Sequence, residues 1–173
     1  ADATPPDTTA AWTLAEFFHK RARAAGELGR ADQRYQDLLR ASEYAKTAGG
    51  IFKENQRNRL LQDLAGSLRS RGEYQKSFET YQQIRDREDA IGWNSGRRFW
   101  AAARLAGLVR DRGDIITARE QIEQAAEHLR RASARSWERY GSNYTAIINL
   151  HLAYQLEAEG KFREAETLLR GAI

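Results

Sequence analysis

Apolar and polar positions follow the period of amphipathic helices along most of the chain, and four polar turns that contain a glycine interrupt them. The turn glycines are Gly29, Gly72, Gly113 and Gly160, which are spaced 43, 41 and 47 residues apart. Glycine readily adopts the left-handed backbone conformation that commonly ends a helix, so each turn predicts a junction between two helices. The pattern therefore predicts four helical hairpins.

Residues at fixed distances from each turn glycine are alike in all four hairpins. Seven positions before it the residue is always alanine, namely Ala22, Ala65, Ala106 and Ala153. Two positions after it stand Ala31, Tyr74, Ile115 and Phe162, which we expect to wedge between the two helices. A single hairpin cannot bury its own apolar face, so the units must stack.

These columns resemble the tetratricopeptide repeat (TPR) family. The fourth unit matches it best, at Leu152, Ala153, Gly160, Phe162, Ala165, Leu169 and Ala172. The first unit departs from the family pattern, because Arg21 and Arg34 stand where an apolar and a small residue are usual. The period of 41 to 47 residues exceeds the usual TPR period of about 34 and resembles kinesin light chain-type and bacterial TPR proteins.

The resemblance implies an all-α fold, a right-handed α-solenoid of about four stacked antiparallel helical hairpins. The two prolines are Pro5 and Pro6, so no proline interrupts the helices after the tail. We expect a flexible tail over residues 1–10 and a TPR-like domain over 11–173. Its units are predicted at about 11–48, 51–91, 97–133 and 136–173.

Composition limits the class of protein and its partners. The net charge is +4, but the basic residues are interleaved with 24 acidic ones, which argues against nucleic-acid binding. The first residues, ADATPPDTTAA, resemble a mature end left by signal-peptide removal. This interpretation predicts a periplasmic or secreted bacterial protein; an artificial chain boundary is the alternative, and the location would then be cytoplasmic.

No pattern in the sequence predicts catalysis, a metal site or a cofactor. Cysteine is absent, which excludes thiolate chemistry. His19, His128 and His151 lack the spacing of a zinc-binding helix, and nucleophile-elbow, Walker and dinucleotide-binding motifs are also missing. We therefore expect a protein that is not an enzyme and has no cofactor.

The first helices of TPR-like hairpins are expected to line a concave groove. Counting back from the turn glycines places a set of cationic, aromatic and small residues there: His19, Arg23, Arg59, Gln62, Arg69, Trp100, Ala103, Arg110, Leu150 and Tyr154. Arginine binds carboxylates through paired hydrogen bonds, and tryptophan and tyrosine serve as rigid apolar anchors. The alternative is that Trp100 and Ile147 pack against the next hairpin and the arginines are solvated.

The leading hypothesis is a non-catalytic scaffold that binds a protein or peptide bearing acidic residues or a free carboxylate. A second hypothesis makes the chain the N-terminal repeat module of a larger protein whose activity, such as a CHAT-type peptidase or an envelope-assembly role, lies downstream. A third is homo-oligomerisation through the last helix, where Leu168, Leu169, Ala172 and Ile173 are expected to lack a cap. No membrane span is expected, because no apolar run approaches about 20 residues.

Overall fold

A computed structural model describes residues 1–48, 54–91, 95–132 and 134–170. Within these ranges the chain forms eight α-helices and no strand. The helices are α1 (Ala11–Glu27), α2 (Ala31–Thr47), α3 (Glu54–Ser70), α4 (Tyr74–Ile91), α5 (Ser95–Asp111), α6 (Ile115–Ala132), α7 (Ala134–Ala158) and α8 (Phe162–Arg170). The all-α prediction is confirmed.

The four turn glycines end α1, α3, α5 and α7 in the same way. Their φ angles are positive, at 71°, 78°, 89° and 76° in chain order. In the first turn the N–H of Gly29 donates to the carbonyl of Gly26, and the N–H of Arg30 donates to the carbonyl of Ala25. The other three turns repeat both bonds at the same offsets, which is the hydrogen-bond pattern of a Schellman motif.

The alanines seven positions before the turn glycines are buried in every hairpin. Ala22, Ala65, Ala106 and Ala153 are each at most 1% exposed. In the second hairpin Ser77 lies opposite this position, and its hydroxyl donates to the carbonyl of Ala65 at 2.8 Å. A side chain larger than alanine would keep the paired helix at a distance, so this column fixes how closely the two helices pack.

The chain divides into two compact units, residues 1–80 and 81–173, with the boundary inside α4. In the first unit α1 packs on α2, and α2 packs on α3. Its core consists of Ala15, Phe18, Ala22, Leu38, Ala41, Ala45, Leu60, Leu64 and Leu68.

The two unusual arginines of the first hairpin have specific partners. Arg21 Nε and Nη2 donate to the two carboxylate oxygens of Asp37 at 2.8 and 2.7 Å, and Asp37 is only 2% exposed. This pairing raises the pKa of Arg21, chiefly through the hydrogen bond to Asp37. Arg34 lies along Gly26, where an added Cβ would approach its Cδ to 3.0 Å. An ion pair and a glycine thus accommodate the residues that depart from the TPR pattern.

The residues before α1 contact the first hairpin. Gln33 Nε2 donates to the carbonyl of Ala1 at 2.6 Å, and Arg21 Nη1 donates to the carbonyl of Ala3 at 2.9 Å. Arg30 pairs with the carboxylate of Asp2 and lowers its pKa. The first helix, α1, begins directly after these residues, at Ala11.

In the second unit α6 packs on both α5 and α7, α5 also contacts α7, and α8 packs on α7. The core contains Phe99, Ala103, Ala106, Ala118, Ile122, Ala125, Ala126, Tyr144 and Ile148. Phe99 and Tyr144 meet edge to face, with their ring centroids 5.1 Å apart. This aromatic pair joins α5 directly to α7.

The structure bears on two expectations about apolar residues, one for those that follow the turn glycines and one for those of the last helix. Tyr74 and Phe162 are 46% and 68% exposed, so they do not wedge into their helix pairs as expected. Each is the first residue of its helix, α4 and α8 respectively. Leu168 and Leu169 are half-buried in α8, whereas Ala172 and Ile173 lie outside the described residues.

Candidate protein-binding surfaces

The first candidate site lies in the first unit, between α1 and α3. The two helices border a cavity of about 170 Å³ whose lining residues are Trp12, Ala15, Glu16, His19, Lys20, Arg23, Gln56, Arg59 and Leu60. We call these residues the α1/α3 surface. Trp12, Ala15 and Leu60 supply apolar wall, and charged side chains surround them.

The arginines of the α1/α3 surface are available to a partner. Arg23 and Arg59 are exposed, and neither forms an ion pair or hydrogen bond through its guanidinium with any residue that the structure describes. Lys20, by contrast, pairs with Glu16 at 2.9 Å. His19 Nε2 lies 2.7 Å from Asp63 Oδ2 and ties α1 to α3. The two arginines are therefore the uncompensated cations at this cavity.

The second candidate site lies in the second unit, on α5 and α7. We define the α5/α7 surface as Trp100, Arg104, Gly107, Arg110, Leu150, His151 and Tyr154. The guanidinium carbon of Arg104 lies 5.0 Å from the ring centroid of Trp100, and that of Arg110 lies 4.2 Å from the ring centroid of Tyr154. Trp100, Leu150 and Tyr154 are 39%, 40% and 41% exposed. Cation–π contacts thus hold two arginines beside exposed aromatic rings.

His151 occupies the centre of the α5/α7 surface. Its Cε1 lies 3.7 Å from where a Cβ on Gly107 would stand, so the imidazole lies across the glycine. Burial, followed by charge repulsion from Arg110 and Arg104, lowers the pKa of His151 to about 4. The imidazole is therefore neutral at pH 7.

The sequence-predicted residues fall on the odd-numbered helices, in two groups. His19, Arg23 and Arg59 belong to the α1/α3 surface, with Gln62 and Arg69 half-buried elsewhere on α3. Trp100, Arg110, Leu150 and Tyr154 belong to the α5/α7 surface. Ala103 is placed differently: it is 2% exposed and packs in the core with Phe99, so it cannot contact a partner.

The prediction missed several residues of these surfaces. Trp12 and Lys20 line the α1/α3 cavity, and Arg104 and His151 complete the α5/α7 surface. Residues three and four apart share a helix face, so the spacing of Trp100 and Arg104 was a usable signal. His151 likewise stands three residues before the predicted Tyr154, whereas its contact with Gly107 depends on how α7 packs on α5.

In the described part of the chain, no group of three or more His, Asp and Glu side chains is arranged to hold a metal ion. None of the helices in the same ranges is both long and apolar enough to cross a membrane. The side chain of His128 lies outside the described residues.

Comparison with known proteins identifies the fold. No protein-family model matches the sequence, and no curated protein matches it at a significant level. A solved kinesin light chain-like protein of Podosopora anserina with nearly identical TPR-like repeats is 21% identical, with a TM-score of 0.68 over 92% of this chain and 74% of that one. A variant of that protein, also 21% identical, gives a TM-score of 0.72 over 96% and 76% of the two chains. The chain therefore has the all-α fold of TPR-like repeat proteins, as the spacing of its turn glycines predicts.

Proposed function

We propose that the protein is a non-catalytic scaffold that binds a protein or peptide bearing carboxylates through the α1/α3 and α5/α7 surfaces. A TPR-like repeat fold supports a role in protein interaction, and the finer assignment depends on these two surfaces. Each of the two surfaces is a contact site of its own.

The observation that carries this proposal is the pair of uncompensated arginines at the α1/α3 cavity. Arg23 and Arg59 border apolar wall from Trp12 and Leu60 and have no carboxylate partner among the described residues. A carboxylate can accept two parallel hydrogen bonds from one guanidinium, which makes arginine well suited to binding it. An acidic side chain beside an apolar one would match both parts of this site.

The α5/α7 surface supports the same function by a different chemistry. Trp100 and Tyr154 present rigid aromatic area, and Arg104 and Arg110 are already positioned against these rings. Side chains held in place before binding lose little conformational freedom when a partner arrives. Aromatic and arginine residues are also the types that contribute most to protein interfaces.

Selection of peptides from a random display library on the purified protein tests the proposal. The dissociation constant of the selected peptide is then measured for the wild type, for Arg23→Ala/Arg59→Ala and for Trp100→Ala/Tyr154→Ala. We expect enrichment of Asp and Glu, and a loss of affinity of about tenfold or more for at least one double variant.

The control is Arg163→Ala/Ile116→Ala, which removes an arginine and an exposed apolar residue from even-numbered helices. Ile116 is 72% exposed on α6, and Arg163 is exposed on α8. This variant should keep wild-type affinity. Selected peptides that lack acidic residues, or that bind all three variants equally, would refute the proposal.

A further inference from the structure

His151 packs on Gly107 in the α5/α7 surface, between two arginines. Arg104 and Arg110 lie one helical turn to either side of Gly107 on α5, and the imidazole of α7 lies over that glycine. The glycine is buried beneath the ring, whereas the side chain of His151 is only half-buried. A partner can therefore reach the exposed part of the imidazole.

The two helices that carry these residues, α5 and α7, run in the same direction. Phe99 contacts Tyr144, Gly107 faces His151, and Arg110 contacts Tyr154, so later residues of α5 meet later residues of α7. The two cation–π pairs lie at opposite ends of this row, with His151 between them. The surface is thus a row of aromatic, cationic, imidazole, cationic and aromatic groups.

The charges around His151 favour an anion. Arg104 has no carboxylate partner among the described residues, whereas Arg110 also pairs with the adjacent Asp111 at 3.0 Å. α6 and α8 also pack against α7, but the described charges that act on the imidazole are Arg110, Arg104 and Asp111, all on α5. The balance beside His151 is positive even while the ring itself is neutral.

We propose that the α5/α7 surface binds a side-chain carboxylate of the partner beside His151, and that His151 takes up one proton from solvent as the carboxylate binds. The inference rests on the proposed function and adds to it a position, a ligand class and a dependence on pH. Burial and the two arginines disfavour an imidazolium in the free protein. A bound carboxylate offsets that repulsion and accepts a hydrogen bond from the ring.

The size of the effect follows from ordinary electrostatics. An opposite charge within about 4–6 Å raises the pKa of a histidine by about 1–3. A rise of about two, from a value of about 4 in the free protein, makes binding about tenfold tighter at about pH 5 than at about pH 7. Glutamate side chains remain mostly ionised at about pH 5 and can still bind.

The test uses a short polyglutamate peptide, with polyglutamine of the same length as the uncharged control. The imidazole signals of His151 are followed by NMR across a pH titration, without peptide and with saturating peptide, and the dissociation constant is measured at each pH. We expect polyglutamate to raise the pKa of His151 and to bind about tenfold more tightly at about pH 5. Polyglutamine should do neither.

His151→Gln separates proton uptake from simple contact, because glutamine stays neutral and retains an amide donor. The readout is the ratio of the dissociation constants at about pH 7 and about pH 5, which should be about ten for the wild type and close to one for this variant. Binding that leaves the His151 signals unchanged, or no binding at either pH, would overturn the inference. The display selection tests the proposed function independently, since it does not require a carboxylate beside His151.

Discussion

Two glycines of the second hairpin differ in what their backbone requires. Gly72 has a φ of 78° in the turn that ends α3, a conformation that L-residues with a Cβ rarely adopt. Gly66 lies six residues earlier inside α3, and an added Cβ there meets no atom within 4 Å. The first glycine is required by conformation, whereas the second only weakens its helix.

We therefore expect alanine to have opposite effects at these two positions. Gly72→Ala should lower the free energy of unfolding by about 1 kcal/mol or more, because the turn must keep its left-handed conformation. Gly66→Ala should raise it by about 0.5–1 kcal/mol, since alanine is the better helix former. Urea denaturation of both variants measures the difference, and a loss of stability in Gly66→Ala would show that α3 needs the space.

At the scale of the helices, an ion pair that is largely shielded from solvent joins α1 to α2 in the first hairpin. Arg21 on α1 and Asp37 on α2 are 14% and 2% exposed, and the Arg21 guanidinium also lies about 5 Å from the rings of Phe17 and Phe18. Two buried charges stabilise a structure only while each has its partner. The pair therefore specifies how α1 and α2 align.

Breaking this ion pair from one side should be costly. Asp37→Leu should lower the free energy of unfolding by about 3–5 kcal/mol, because it leaves the Arg21 charge buried without its carboxylate. Arg21→Leu/Asp37→Leu should recover most of that loss, since neither charge remains. Thermal or urea unfolding of Asp37→Leu, Arg21→Leu and the double variant measures the coupling free energy between the two side chains. Additive effects of the two single changes would contradict this account.

The helices and turns could be predicted from sequence because each turn glycine carries a local signal. Ala22, Ala65, Ala106 and Ala153 stand at the same distance before each turn glycine, and all four are buried. For residues farther from a turn, the sequence predicted less well which side of the helix faces the core. Ala103 is buried in the core although counting placed it in the groove, because α5 meets both α6 and α7.

The candidate site was only partly predictable for a related reason. Arg23, Arg59 and Trp100 follow from spacing along single helices, whereas the cavity itself exists only once α1 and α3 pack. The pairing of His19 with Asp63 spans 44 residues, and no local pattern indicates it. Contacts between neighbouring hairpins depend on helix crossing, which periodicity does not specify.

For the whole molecule, the neutral state of His151 links stability to pH. The folded-state pKa of about 4 lies below the ordinary value of 6.5, so the unfolded chain binds this proton more readily. The contribution of His151 to stability is therefore complete above pH 6.5 and is lost as the pH falls from 6.5 towards 4. Urea midpoints across that range should fall less steeply in His151→Gln than in the wild type. Equal slopes would show that His151 does not resist protonation.

The central claim is that the odd-numbered helices bind the partner while the even-numbered helices support them. Hydrogen–deuterium exchange of the whole chain, with and without the display-selected peptide, tests it most directly. We expect the peptide to slow exchange in α1 and α3, in α5 and α7, or in both pairs, and to leave α2, α6 and α8 unchanged. Slower exchange confined to α2, α6 or α8 would contradict the account.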